Sequence, residues 1–261
     1  MKFTAHRCVA TLIAGMSLGT GQARADFSGF GSLSSSLWTV NVADVSNPPT
    51  YDQPSGTLHL TNGVAGESRS VFYKVSQPVT HFTASFIYRV LDPHPVFGGG
   101  CGAALVIQNS PVGANALGTG GFGFQNIPNS AAVTLELYNG HSNSGYYVNG
   151  VFGGGSPTTG DVVLYSGNPI AVTIRYDGFF LSESLVDTVT GKIFEPPPII
   201  ASNLLTSVGG NSALVGLTAA TTGNEWADQY FSNFSFTTPA PASLALLGGA
   251  GIAAFRRRRT S

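Results

Sequence analysis

A chain of 261 residues, 43% of them hydrophobic and only 10% charged, with a formal net charge of −1, is neither a polyelectrolyte nor a disordered tail and carries enough apolar material for a core. All thirteen acidic residues lie within 26–237, where only Arg69, Lys74, Arg89, Arg175 and Lys192 oppose them, a balance of −8. That balance excludes a surface built to neutralise phosphates. Two cysteines, Cys8 and Cys101, exclude a disulfide-stapled scaffold.

In chain order, residues 1–25 read as a secretory signal peptide. Lys2 and Arg7 precede the apolar stretch "VATLIAGMSLG", and "ARA" closes it. Export and a mature chain starting near Asp26 are predicted. Cys8 leaves with this segment. Cys101, with no activating cation near it in sequence, reads as a small buried hydrophobe. From there the signals are those of strands, and no apolar helical period extends over three turns. "HFTASFIYRV" places Phe82, Ala84, Phe86, Tyr88 and Val90 on one face and polar residues on the other, the period of a half-buried strand. "CGAALVIQ" is continuously apolar, as in a strand covered on both faces. "AVTLELY" sets Val133, Leu135 and Leu137 against Thr134, Glu136 and Tyr138. "AVTIRYDGFFLSESLV" reads as a hairpin turning at Asp177-Gly178. "ALVGLTAAT" and "QYFSNFSF" give two more strands. "NPPTYDQPSG", "DPHPVFGGG", "SPVGANALGTGG", "NGVFGGGSPTTG" and "EPPPII" read as loops. Residues 26–237 are thus predicted to form one all-β domain.

The chain closes with "TPAPASLALLGGAGIAAFRRRRTS", residues 238–261. Its apolar run is shorter than the roughly 20 residues of a comfortable span, and Arg256 to Arg259 belong on the cytoplasmic side of a membrane. Behind an export signal, this arginine cluster does not meet nucleic acid. Pro-x-Pro, Ala-Ser, an apolar glycine-bearing run and terminal arginines resemble the PEP-CTERM sorting tail of Gram-negative bacteria, with Ala240 where that family has Glu. The resemblance implies a C-terminal apolar helix and transient anchoring in the inner membrane. It also implies removal by an exosortase and delivery to the cell surface or exopolysaccharide matrix.

"GFGFQNIPNSAAVTLELYN", residues 121–139, resembles a segment of bacterial L-type, legume-lectin-like domains. "FTASFIYRV", "GCGAALVIQ", "IRYDG" and residues 208–236 extend the likeness over 80–236. It implies a concanavalin A-like jelly roll, a β-sandwich of two antiparallel sheets, with a sugar site built on Ca²⁺ and a transition metal. Aligned without gaps, the family's Glu, Asp and Asn metal ligands become Thr134, Glu136 and Gly140. Its sugar-contacting Asp becomes Cys101, before Gly102. Its metal-binding His falls near Asn143, with His141 out of register. Calcium takes about six to eight oxygen ligands, several of them anionic; of the set only Glu136 remains. Weak or absent metal binding, and so no cofactor, is expected. Glu136 reads either as a surviving ligand or sugar acceptor, or as a solvated acid.

A sugar site without the metal needs an aromatic platform and a few convergent polar groups. "YNGHSNSGYY" offers Tyr138, Asn139, His141, Asn143 and Tyr146; "TTGNEWADQY" offers Asn224, Glu225, Trp226 and Asp228; "DPHP" offers Asp92 and His94. Lectins of this fold bring the first two loops to one edge of the concave sheet. Trp226 reads equally as a core residue covering a sheet end. A glycosidase of this fold needs paired carboxylates, and "VTLELYN" has one; no nucleophile elbow is present. The expected function is a non-enzymatic carbohydrate-binding protein, exported and held in or near extracellular polysaccharide. The alternative is a structural surface protein that kept the jelly roll and lost sugar binding.

Overall fold

Alternating and continuous apolar runs become strands along nearly the whole of the computed structural model. It describes residues 27–31, 36–43, 47–94, 100–138, 140–153 and 155–239. The predicted signal peptide, Asn139 and residues 240–261 of the predicted sorting tail lie outside the described residues. In chain order the strands are β1 (Phe27–Ser28), β2 (Trp38–Val42), β3 (Thr50–Asp52), β4 (Thr57–Asn62), β5 (Ser68–Tyr73), β6 (Gln77–Pro78), β7 (Phe82–His94), β8 (Gly100–Gln108), β9 (Ser130–Tyr138), β10 (His141–Val148), β11 (Ile170–Tyr176), β12 (Phe180–Asp187), β13 (Ile193–Phe194), β14 (Ile199–Ile200), β15 (Ser212–Ala220) and β16 (Trp226–Thr237). A short helix, α1 (Leu204–Val208), precedes β15.

The strands form two sheets. The first runs β13-β12-β11-β7-β16-β4-β3, with β1 added to β16 and β14 to β12. The second runs β10-β9-β8-β15-β5-β2, with β6 on β15. Every strand pair is antiparallel. This is the predicted sandwich. Phe82, Ala84, Phe86, Tyr88 and Val90 of β7 are buried between the layers with Leu105, Ile107, Val133, Leu135, Val215 and Leu217 of the other sheet. Each such large side chain contributes about 1.5–3 kcal/mol by leaving water, so β7, central in its sheet, is a main source of stability. Tyr88 keeps its hydroxyl satisfied inside the core by donating to Gln229 Oε1 at 2.7 Å.

Two features depart from the sequence reading. First, β9 alternates in sequence but is buried on both faces as far as Leu137. The loop 113–127 folds over the outer face of the second sheet. There Phe122, Phe124 and Ile127 form a second small core with Phe72, Val106, Ala132 and Tyr147. Thr218 Oγ1 donates to the Phe122 carbonyl at 2.9 Å, and Asn41 Nδ2 to that of Ala114 at 2.8 Å, pinning the cover. Second, strands occupy stretches without a strand signal: β2 and β4 to β6 lie in an unassigned region, β3 lies inside the predicted loop "NPPTYDQPSG", β7 runs on to His94 in "DPHPVFGGG", and β14 sits in "EPPPII". Leu58 and Leu60 alternate inward, but their run is too short to stand out. At the domain's N-terminal edge Phe27, Trp38 and Phe234 cluster, with Phe27 edge-on to Trp38 at a centroid distance of 5.3 Å. Aromatic packing of this kind adds to the area term and holds two-residue β1 in place.

Candidate functional site

The β9–β10 hairpin is set by its turn. Tyr138 and His141 are paired, and between them stand Asn139 and Gly140, an Asn-Gly pair of the kind that tight hairpins prefer. Gly140 takes φ +71°, where a side chain is disfavoured. Tyr165, distant in sequence, donates its hydroxyl to the Gly140 carbonyl at 2.6 Å and fixes the turn from outside. Tyr138 is 47% exposed, since the outward face of the sheet is no longer covered at this end.

Glu225 ends the loop between β15 and β16 and Trp226 opens β16; that loop is tied to the connection between β4 and β5. The Thr221 amide donates to the Glu67 carbonyl at 2.9 Å, and the Glu67 amide returns to Thr221 Oγ1 at 2.8 Å. Beneath them lies a buried ion pair, Arg69 Nη2 to Glu67 Oε1, at 3.1 Å. Glu67 also accepts the amides of Asn62 and Val64. Burial pushes the Glu67 carboxyl above its ordinary value, while those amides and the Arg69 guanidinium pull it back. The loop that leads into Trp226 therefore rests on a charged, desolvated anchor.

Trp226 pairs across the sheet with His94, and the two rings stack face to face, 4.0 Å between centroids and 10° from parallel. Around them Tyr138, His141, Tyr165, Cys101 and Glu225 close a cleft of about 30 Å³. That volume holds about one water, so a sugar ring would rest on the aromatic lip rather than sink into the cleft. Burial, then the Glu225 carboxylate, pushes the Cys101 thiol up to about 12. At neutral pH it rests as the thiol, the unreactive form.

Of the residues singled out from sequence, Tyr138, His141, Glu225 and Trp226 meet at this cleft, together with His94. Asn143, Asn224 and Asp228 do not. Asn143 pairs with Glu136 along the hairpin and bridges to Thr158. Asn224 is exposed on the loop. Asp228, two residues beyond Trp226, bonds His59 Nε2 at 2.9 Å, and His59 stacks on Tyr230 at 4.2 Å. Asp92 is exposed with φ +46°. Tyr146 turns toward the interlayer core. Tyr165 had no sequence signal, because only the fold brings it to the turn.

Glu136 is not a solvated acid: it is 3% exposed. Its Oε1 accepts hydroxyls from Thr134 at 2.7 Å, Ser156 at 2.6 Å and Tyr147 at 3.2 Å. Calcium wants several anionic oxygens with free lone pairs. Here one carboxylate oxygen is already engaged by three hydroxyl donors, one of them its neighbour Thr134. This donor set does not fit a calcium site.

No protein-family model matches the chain, and no curated protein matches it by sequence. Solved structures match it by shape. Arcelin-5, a lectin-like defence protein from Phaseolus vulgaris, superposes with a TM-score of 0.64 at 16% identity, over 84% of this chain and 99% of that one. The lectin from Bauhinia forficata in complex with GalNAc gives 0.63 at 16%, over 84% and 99%. A seed lectin from Lotus tetragonolobus gives 0.63 at 18%, over 83% and 99%. At such identities the likeness speaks for the fold, and the described domain has the jelly-roll sandwich of the legume lectins.

Proposed function

We propose that this chain is a non-enzymatic, lectin-like carbohydrate-binding protein that works without calcium at the cleft of Tyr138, His141, Glu225 and the His94–Trp226 stack. The observation that supports it is that stack: two parallel aromatic rings at the lip of a mainly apolar cleft, with Tyr138 and His141 beside it, a platform for the apolar face of a sugar. The Bauhinia lectin is in complex with GalNAc and the lectin UEA-II with galactose, which makes those two sugars the first probes. Trp226→Ala and Tyr138→Ala are each expected to lower retention on a glycan array about tenfold, a loss of about 1.4 kcal/mol, with EDTA leaving retention unchanged. Undiminished binding by both variants, or EDTA-reversible binding, would sink this reading. Two acids bear on catalysis, buried Glu136 and half-buried Glu183. Glu136 faces outward from the second sheet and Glu183 points between the sheets. With a sheet between them they flank no common bond, as a glycosidase pair must.

We further propose export, passage through the inner membrane with exosortase processing, and residence at the cell surface or in the polysaccharide matrix. Residues 1–25 act as signal, 26–237 as lectin-like domain and 238–261 as sorting segment. Mass spectrometry of the protein from its host is expected to find an N-terminus near Asp26 and no Arg256–Arg259. An intact chain at both ends would overturn it. The engagement of Glu136 by hydroxyls favours a second reading, a matrix protein with no sugar site; retention of no glycan by a cooperatively folded chain is its signature.

A further inference from the structure

Strand β12 is paired to β13 at Leu185 with Phe194 and to β14 at Leu181 with Ile199. Between these points three residues, Ser182 to Ser184, face four, Glu195 to Pro198. Prolines have no amide to give a ladder, so Pro196–Pro198 arch away as a bulge. The arch leaves a groove of about 540 Å³ on the outer face of the first sheet. Its floor is made of cross-strand pairs, Thr173 with Ser184 and Arg175 with Ser182. One wall is the proline arch. Ser184 Oγ donates to Glu195 Oε1 at 2.9 Å and sets that carboxylate over the groove. Among the described residues Arg175 makes no ion pair, so its guanidinium fork is available.

We propose that this groove is a second saccharide site, taking a neutral oligosaccharide of about two rings. Its volume lies within the range of small-ligand sites, about 300–1,000 Å³. It offers what a sugar needs: a forked donor for neighbouring hydroxyls, a carboxylate acceptor, two hydroxyls of either role on Thr173 and Ser182, and flat apolar pyrrolidine rings for the C–H face. The groove's own carboxylate, Glu195, and the −8 balance of residues 26–237 disfavour an anionic sugar. An added peptide strand is disfavoured too, since the prolines present no amides for it to pair with. The groove shares no lining residue with the cleft at Trp226. It rests on the proposed function only for the class of ligand. Two sites on one chain let it cross-link polysaccharide and gain avidity without any tighter single contact.

The test uses the full-length protein on an array of neutral galactose-, GalNAc- and glucose-containing oligosaccharides, with uronate oligosaccharides alongside. W226A is expected to keep residual retention of a neutral oligosaccharide, and adding R175A and E195Q is expected to lower that residue at least tenfold. R175A/E195Q, at exposed positions, is expected to leave the thermal midpoint unchanged. A W226A protein with no residual retention overturns the groove while leaving the cleft standing. Residual retention that ignores R175A/E195Q, or is confined to uronates, also overturns the groove. Retention indifferent to W226A but abolished by R175A/E195Q supports the groove and overturns the cleft. No retention by the unaltered protein overturns both.

Discussion

Glu67→Ala is expected to cost about 3–5 kcal/mol of folding stability, the usual loss when one partner of a buried ion pair is removed. Arg69 is 0% exposed, and its Nε already lacks a partner. What remains to it without Glu67 is the carbonyl of Asn47 at 2.9 Å and that of Ser68 at 3.2 Å. The amides of Asn62 and Val64 would lose their acceptor as well. Because Thr221 is bonded to the backbone of residue 67 and to the Val64 carbonyl, the damage reaches the loop that leads through Glu225 into Trp226. Urea denaturation gives the stability; Trp fluorescence anisotropy reads the loop. The double change Glu67→Leu with Arg69→Met is expected to recover most of the loss, since a buried pair exchanged for apolar groups of similar volume is often neutral. A double variant as weak as the single one would place the cost elsewhere.

Glu183→Gln is expected to act with the opposite sign and only above a certain pH. The Glu183 carboxyl is pushed up to about 7, first by burial, with the Ser144 hydrogen bond opposing and the Glu136 charge adding to the rise. Ser144 Oγ lies 2.7 Å from each Glu183 oxygen and 2.8 Å from the Thr134 carbonyl, with one proton to give. A protonated Glu183 completes the chain, donating to Ser144 while Ser144 donates to Thr134. An ionised one takes the Ser144 proton and leaves that carbonyl short. The folded state therefore holds a proton that the unfolded chain releases near 4.5. The contribution of Glu183 to stability is therefore expected to be greatest below that value, to fall as pH rises to about 7, and then to stay lower by about 3 kcal/mol. Glutamine reproduces the protonated form. The variant is expected to melt about 5–10 °C above the parent at pH 8 and level with it at pH 4. A gain that is equal at both pH values would remove the titration from the explanation.

The parts of this fold visible in the sequence are those where one strand carries its own pattern. Phe82 to Val90 alternate cleanly because one face meets the core and the other meets water. β9 does not announce its second buried face, because the cover comes from Phe122 and Phe124 in a glycine-rich loop whose placement is decided by Asn41 and Thr218 far along the chain. The candidate cleft was legible where neighbours in sequence stay neighbours in space: Tyr138 and His141 across a tight turn, Glu225 next to Trp226. Asp228 left the group because a strand returns to the same face after two residues but about 6–7 Å further on. There it met His59, 169 positions away. No local pattern encodes such a partner, and the same holds for Tyr165 above Gly140. For Glu136 the solvated-acid reading fails for a related reason: it is covered by Tyr147 across the hairpin and by Ser156 from the loop that follows.

Strand β16 begins at Trp226 and ends at Thr237, where β1 joins it with Phe27 opposite Phe236. Twelve extended residues span roughly 35 Å. Entry into and exit from the sandwich thus occur side by side at one pole, and the stacked rings stand at the other. The stacked rings therefore stand about one strand length away from both the first and the last strand residue of the domain.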